Sequence, residues 1–118
     1  TCYRAHSYET ARRLAETLRL PKEKWSVSFQ SRLGRTKWIE PYTDVVLPQL
    51  AEKGARRIAV VCPAFVADCL ETLEEIAIRA QEQFREAGGD EVVLVPSLNS
   101  EPSWVETVAR LAKDGRFR

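Results

Sequence analysis

Two β-branched apolar runs, "RRIAVVC" (56–62) and "EVVLVP" (91–96), flank a long stretch of helical character. Neither run alternates with polar residues, which is the pattern of strands covered on both faces in a parallel sheet. Parallel neighbours require a crossover, usually a helix and right-handed. The residues between the runs meet that demand. From about Asp68 to Ala87, Leu70, Leu73, Ala77, Ala80 and Phe84 recur at helical spacing and predict the buried stripe, and Gly88-Gly89 ends the helix. A β-α-β unit is therefore the centre of any fold this chain can take.

The rest of the chain extends the alternation. Tyr8, Ala11, Leu14, Ala15 and Leu18 predict a first helix, stopped by Pro21. "WSVSF" (25–29) alternates with period two and predicts a strand, and "QSRLGRTKWIEP" (30–41) reads as a loop broken at Gly34. A second helix is expected from about Pro41 or Thr43 to Glu52, ended by Gly54, with a kink or late start because Pro48 removes a backbone donor. "SLNSEP" turns the chain, and Pro102 opens a last helix to about Ala112. The order α-β-α-β-α-β-α predicts an α/β domain, with a parallel sheet and helices on both faces. Because the chain starts almost inside a helix, with no strand before it to pack against, it reads as a piece of a longer protein.

Charge and cysteine content narrow the functional classes. The 118 residues carry 18 basic and 17 acidic side chains, so no bulk field draws the chain to nucleic acid. No apolar stretch approaches a bilayer span, and no charged-then-apolar leader suggests secretion. Cys2, Cys62 and Cys69 form no Cys-x-x-Cys pair, which disfavours a disulfide framework or thiolate zinc site, and free thiols suit a reducing cytoplasm.

Ligands of open parallel sheets gather beyond the carboxyl ends of the strands. Three segments fall there: Gln30 to Pro41, Pro63 to Glu71 and Ser97 to Pro102. In the second, Asp68, Glu71 and Glu75 share a polar helix face that Arg79 extends. These acids fit a capping box (Asp68-x-x-Glu71) and a surface ion pair (Glu75 with Arg79) as well as they fit metal or proton chemistry. Trp38, near Arg32, Arg35 and Lys37, suits either a flat anionic ligand or packing under the loop. No glycine-rich cradle follows a strand, which disfavours phosphate. His6 reads as a surface or helix-packing residue, Cys62 and Cys69 as structural thiols, and Asn99 as a cap for backbone groups.

"FQSRLGRTKWIEPYTD", "CPAFVADCLETLEEI" and "VPSLNSEP", in that order after "YETARRLA", resemble ferrochelatase, in particular its proteobacterial branch. The resemblance covers nearly the whole chain and only the C-terminal third or so of a family member. It implies a three-layer Rossmann-like, chelatase-like domain, with residues 1–118 forming a partial C-terminal domain. The implied activity is that of a lyase of heme biosynthesis, inserting ferrous iron into protoporphyrin IX to form protoheme. In the family motif Asp-x-x-Glu-Thr, Glu71 matches the glutamate that binds iron or helps remove pyrrole protons opposite a histidine. Asp68 matches the aspartate of the same acidic path. Gln30, Ser31 and Trp38 match loop residues near the macrocycle, and Phe65 an aromatic lining the pocket.

The resemblance has two departures. The family histidine lies N-terminal to this chain, and His6 does not replace it; some members have histidine where Cys69 stands. An iron–sulfur cluster needs four cysteine ligands, so none is expected within the chain, and no permanently bound cofactor is expected. Expected partners are the porphyrin, ferrous iron, the N-terminal domain of the same enzyme and a peripheral membrane contact of the whole protein. Crowded acids predict that at least one titrates high. Arg32, Arg35 or Lys37 are candidates for the propionates on charge alone, Glu75 is left open, and Glu74 points away. The fragment alone is expected to be inactive. The competing expectations are a cobalt or nickel tetrapyrrole chelatase and a non-catalytic α/β binding module.

Overall fold

The computed structural model describes residues 2–32 and 34–115; Leu33, inside the expected loop, lies outside them. Helix α1 spans Tyr3–Thr17, and a single 3₁₀ turn covers Lys22–Lys24. Helix α2 is Thr43–Glu52, strand β1 Arg57–Val60 and helix α3 only Leu70–Leu73. A π-helical stretch, Glu75–Ala80, runs into helix α4, Gln81–Glu86. Strand β2 (Glu91–Leu94) and helix α5 (Pro102–Lys113) complete the order. No helix among the described residues is long and apolar enough to cross a membrane.

The β-α-β unit predicted from the two apolar runs is present. β1 and β2 pair in parallel, with Ile58 opposite Val92 and Val60 opposite Leu94. One face of this sheet carries Ile58, Val60, Val92 and Leu94 into a core with Leu47, Ala51, Ile76, Ala80 and Phe84. The core is thus built from α2, the π-helical stretch, α4 and β2 on one side of the sheet. Ala59, Val61, Val93 and Val95 have the opposite parity and are exposed. Phe84 is fully buried, a contribution of about 1.5–3 kcal/mol for a side chain of this class.

Two expectations of element extent change. "WSVSF" makes no strand: only Phe29 pairs, in a parallel bridge with Tyr42, its N–H donating to the Pro41 carbonyl at 2.8 Å. A strand needs a neighbour for its backbone groups, and among the described residues β1 pairs only with β2. Instead the segment is held by side chains, with the Tyr3 and Tyr8 rings of α1 at 6.5 and 6.3 Å from the Phe29 ring. α2, by contrast, keeps the expected bounds, Thr43–Glu52, with Pro48 inside it.

The third helix differs most. Rather than one α-helix over 68–87, it is α3, a π-helical stretch and α4. The buried row is Thr72, Ile76, Ala80 and Phe84, at a strict spacing of four. Leu70 and Leu73, predicted to be buried, are 71% and 53% exposed, and Ala77 is exposed. In a regular α-helix each step of four overshoots a turn by about 40°, so such a row would rotate off the core. The wider π turn, bonded i to i+5, absorbs that rotation and keeps the row inward.

Candidate active site

The site is organised by one side chain, Gln30, in the loop that follows Phe29. Its Nε2 donates to the Glu71 carbonyl at 2.7 Å and to Glu75 Oε2 at 3.0 Å. Its Oε1 accepts from Cys62 Sγ at 3.4 Å, and its carbonyl accepts from Trp38 Nε1 at 2.9 Å. Three segments far apart in sequence therefore meet at one amide: the Gln30–Trp38 loop, the end of β1, and the start of the third helical segment. Ser31, in a left-handed backbone conformation (φ 60°), adds an Oγ–H donated to Glu75 Oε2 at 3.0 Å. Burial raises the Cys62 thiol to about 11, aided by the nearby carboxylates of Asp68 and Glu75. The Glu71 carbonyl and the Glu75 carboxylate can only accept, which sets the amide's orientation and turns Oε1 toward the protonated Cys62 thiol.

Beside this junction lies a pocket of about 230 Å³. Phe29, Gln30, Ser31 and Arg32 form one wall, Asp44 and Leu47 of α2 another, and Glu75, Arg79 and Gln83 a third. Glu71, Glu75, Arg79 and Gln83 follow each other at the same spacing of four as the core row, one residue behind it. The predicted Glu75–Arg79 ion pair does not form. Arg79 Nε pairs with Glu74 at 2.5 Å, because the π turn sets residue 79 over residue 74; its N–H bonds the Glu74 carbonyl. Glu75 is thereby left to the Gln30 and Ser31 donors.

Asp68 and Glu71 occupy different environments. The capping box predicted for Asp68 and Glu71 is not made by them. The cap falls one residue later, at Cys69, whose N–H donates to Thr72 Oγ1 at 3.0 Å. Asp68 instead receives Thr72 Oγ1 at 3.0 Å, Asn99 Nδ2 at 2.8 Å and the Ser97 N–H at 3.3 Å. These donors, Asn99 foremost, hold its carboxyl below the ordinary range. The Cys69 thiol and the residue's own backbone amide do the same for Glu71. The raised titration predicted for crowded acids is thus not found at either. Hydrogen-bond donation to the charged form outweighs desolvation here.

The Gln30 junction brings part of the expected residue set together, and comparison with known proteins gives the family. A profile of the family described as Ferrochelatase matches residues 1–115. The chain belongs to the ferrochelatase family. It is 62% identical over 113 residues to "Ferrochelatase" of Pseudomonas fluorescens strain Pf0-1, covering 96% of this chain and 33% of that protein. It is 59% identical to the one from strain SBW25 and 58% identical to that of Pseudomonas savastanoi pv. phaseolicola, with the same coverage. The chain spans about a third of the length of these curated ferrochelatases.

Of the residues expected from sequence, some meet at the junction and others do not. Gln30, Ser31, Trp38 and Glu71 are brought together, through Gln30. Trp38 is 37% exposed and bonded to the loop itself, outside the pocket wall. Phe65 is half-buried in the turn after β1, its N–H on the Cys62 carbonyl, and does not line the pocket. Of the loop cations, Arg32 is engaged with Asp44 at 3.2 Å and over the Tyr42 ring at 4.6 Å. His6 is exposed on α1. Sequence reasoning left out Thr72, which is fully buried, and the grip of Asn99 on a carboxylate; the spacing Asp68-x-x-x-Thr72 was the only local signal.

Proposed function

We propose that this chain forms the C-terminal part of the site at which a ferrochelatase inserts ferrous iron into protoporphyrin IX, yielding protoheme in the cytoplasm. The observation that carries the reading is the Gln30 junction, which fastens the tryptophan-bearing loop to the helix segment that presents Glu71 and Glu75. Metallation requires that Fe²⁺ shed water and that two pyrrole protons leave the macrocycle. A carboxylate is a hard oxygen ligand able to accept Fe²⁺ and release it. Glu71 is held in its charged form, which favours cation binding and weakens it as a base. Its assigned role is accordingly to meet the iron, with the opposing ligand supplied from outside this chain.

Gln30 and Ser31 hold the Glu75 carboxylate at the pocket wall, and Glu71 lies one turn before it, tied to Gln30 through its backbone carbonyl. Trp38, exposed beside the junction, offers flat apolar surface for the macrocycle. The test is Glu71→Gln in the full-length protein, which keeps the shape and removes the charge. Iron insertion should fall by roughly two to three orders of magnitude, on the scale of losing one charge-stabilising group, while protoporphyrin binding by absorbance titration persists. Unchanged turnover would remove the role from Glu71, and no porphyrin affinity in the wild-type full-length protein would return the chain to the binding-module class.

A further inference from the structure

Glu71 sits in the first turn of a helical segment that continues through the π-helical stretch into α4. The N–H groups of a first turn have no partner within their own helix. Here that turn is also tied to the loop after β2, the strand paired with β1. Asn99 Oδ1 accepts the Asp68 N–H at 2.8 Å, and Asn99 Nδ2 donates to Asp68 Oδ2 at 2.8 Å, closing a two-point ring between the residues. The Asn99 backbone N–H adds a third bond, to the Val66 carbonyl at 2.8 Å. Asn99 sits in the left-handed region (φ 48°), which asparagine tolerates better than most side chains. From Asp68 the chain of bonds continues to Thr72 Oγ1, and from Thr72 back to the Cys69 N–H. Glu71 lies inside the loop these bonds close.

We propose that Asn99 is a positioning residue for Glu71, acting through Asp68 and Thr72 to hold the first turn of α3 in the orientation the carboxylate needs. On this view Asp68 orients the turn and does not itself carry iron or protons. Gln30, on the Glu71 carbonyl, is the second tether, from the opposite loop. The inference rests on the ferrochelatase reading above for its catalytic consequence, and on the hydrogen bonds alone for the clamp.

Asn99→Asp in the full-length protein puts a carboxylate where Nδ2 now faces Asp68 Oδ2. We expect kcat for iron insertion to fall on the order of 10- to 100-fold from a displaced Glu71, with the porphyrin KM moving less than about twofold. Amide hydrogen exchange at residues 70–73 should speed up in the same variant. The double variant Asp68→Asn/Asn99→Asp restores one donor facing one carboxylate and should recover both kcat and slow exchange. A double variant as impaired as the single one would show that the charge of Asp68 itself is needed and overturn the positioning role. A single variant with unaltered kcat, or a loss that only tracks the unfolded fraction, would do the same. If the wild-type full-length protein inserts no iron, the functional reading falls; unaltered exchange in Asn99→Asp would then overturn the clamp independently.

Discussion

Cys62 shows how one residue's surroundings change its chemistry. By sequence it ends an apolar strand and reads as a small buried thiol. The structure places it as a donor to the Gln30 amide oxygen, 3.4 Å away, in a setting that disfavours the thiolate. A rise from 9.0 to about 11 lowers the thiolate fraction roughly a hundredfold at neutral pH. Iodoacetamide should therefore modify the exposed Cys2 first, with Cys62 reacting only as pH climbs toward 11. Mass spectrometry of the labelled peptides would check it, and equal labelling of both at neutral pH would contradict the assignment. Glu71 could be singled out in sequence by motif, but its lowered titration could not. That depends on where the Cys69 thiol and the local amide point, which no spacing rule encodes.

At the scale of elements, the third helical segment is where pattern and structure part. A 3.6-residue period selects Leu70 and Leu73 as core, while the packed row has a period of four and needs π geometry. Whether a helix widens depends on what it must pack against, here α2 and the sheet. The end of that segment was readable: Gly88 has a positive φ of 98°, and Gly89 lies against the Phe84 ring. A Cβ on Gly89 would fall inside the van der Waals surface of Phe84. Gly89→Ala should cost about 1–3 kcal/mol, the range for overpacking a core. Urea denaturation would measure it; an unaltered midpoint would mean that Phe84 moves without penalty. The failed strand at Trp25–Phe29 follows a related logic, since alternation predicts which side chains turn inward but supplies no partner for the backbone.

Across the whole molecule, the sheet has one packed face and one open apolar face, bearing Ala59, Val61, Val93 and Val95. Two-strand parallel sheets are ordinarily covered on both sides, and the chain spans a third of its curated relatives. The proposed site is likewise one-sided. Among the described residues no three His, Cys, Asp or Glu side chains converge to hold a metal, and Glu71 is a single carboxylate. The 118-residue chain alone is thus expected to give no protoheme from protoporphyrin and Fe²⁺ under anaerobic conditions, followed by the loss of porphyrin fluorescence. Iron insertion by this chain alone would refute the half-site assignment.

The linear order of residues was sufficient for the β-α-β centre, the helix-ending glycines and the family, because periodicity, β-branching and motif spacing are local properties. Which partner each carboxylate takes was decided only by folding. Asp68 is committed to Asn99 and Thr72, and Glu75 to Gln30 and Ser31, through contacts up to 45 residues apart in the chain. A hydrogen bond depends on distance and direction in space, and those are fixed only when α2, the sheet and the π-helical stretch pack together.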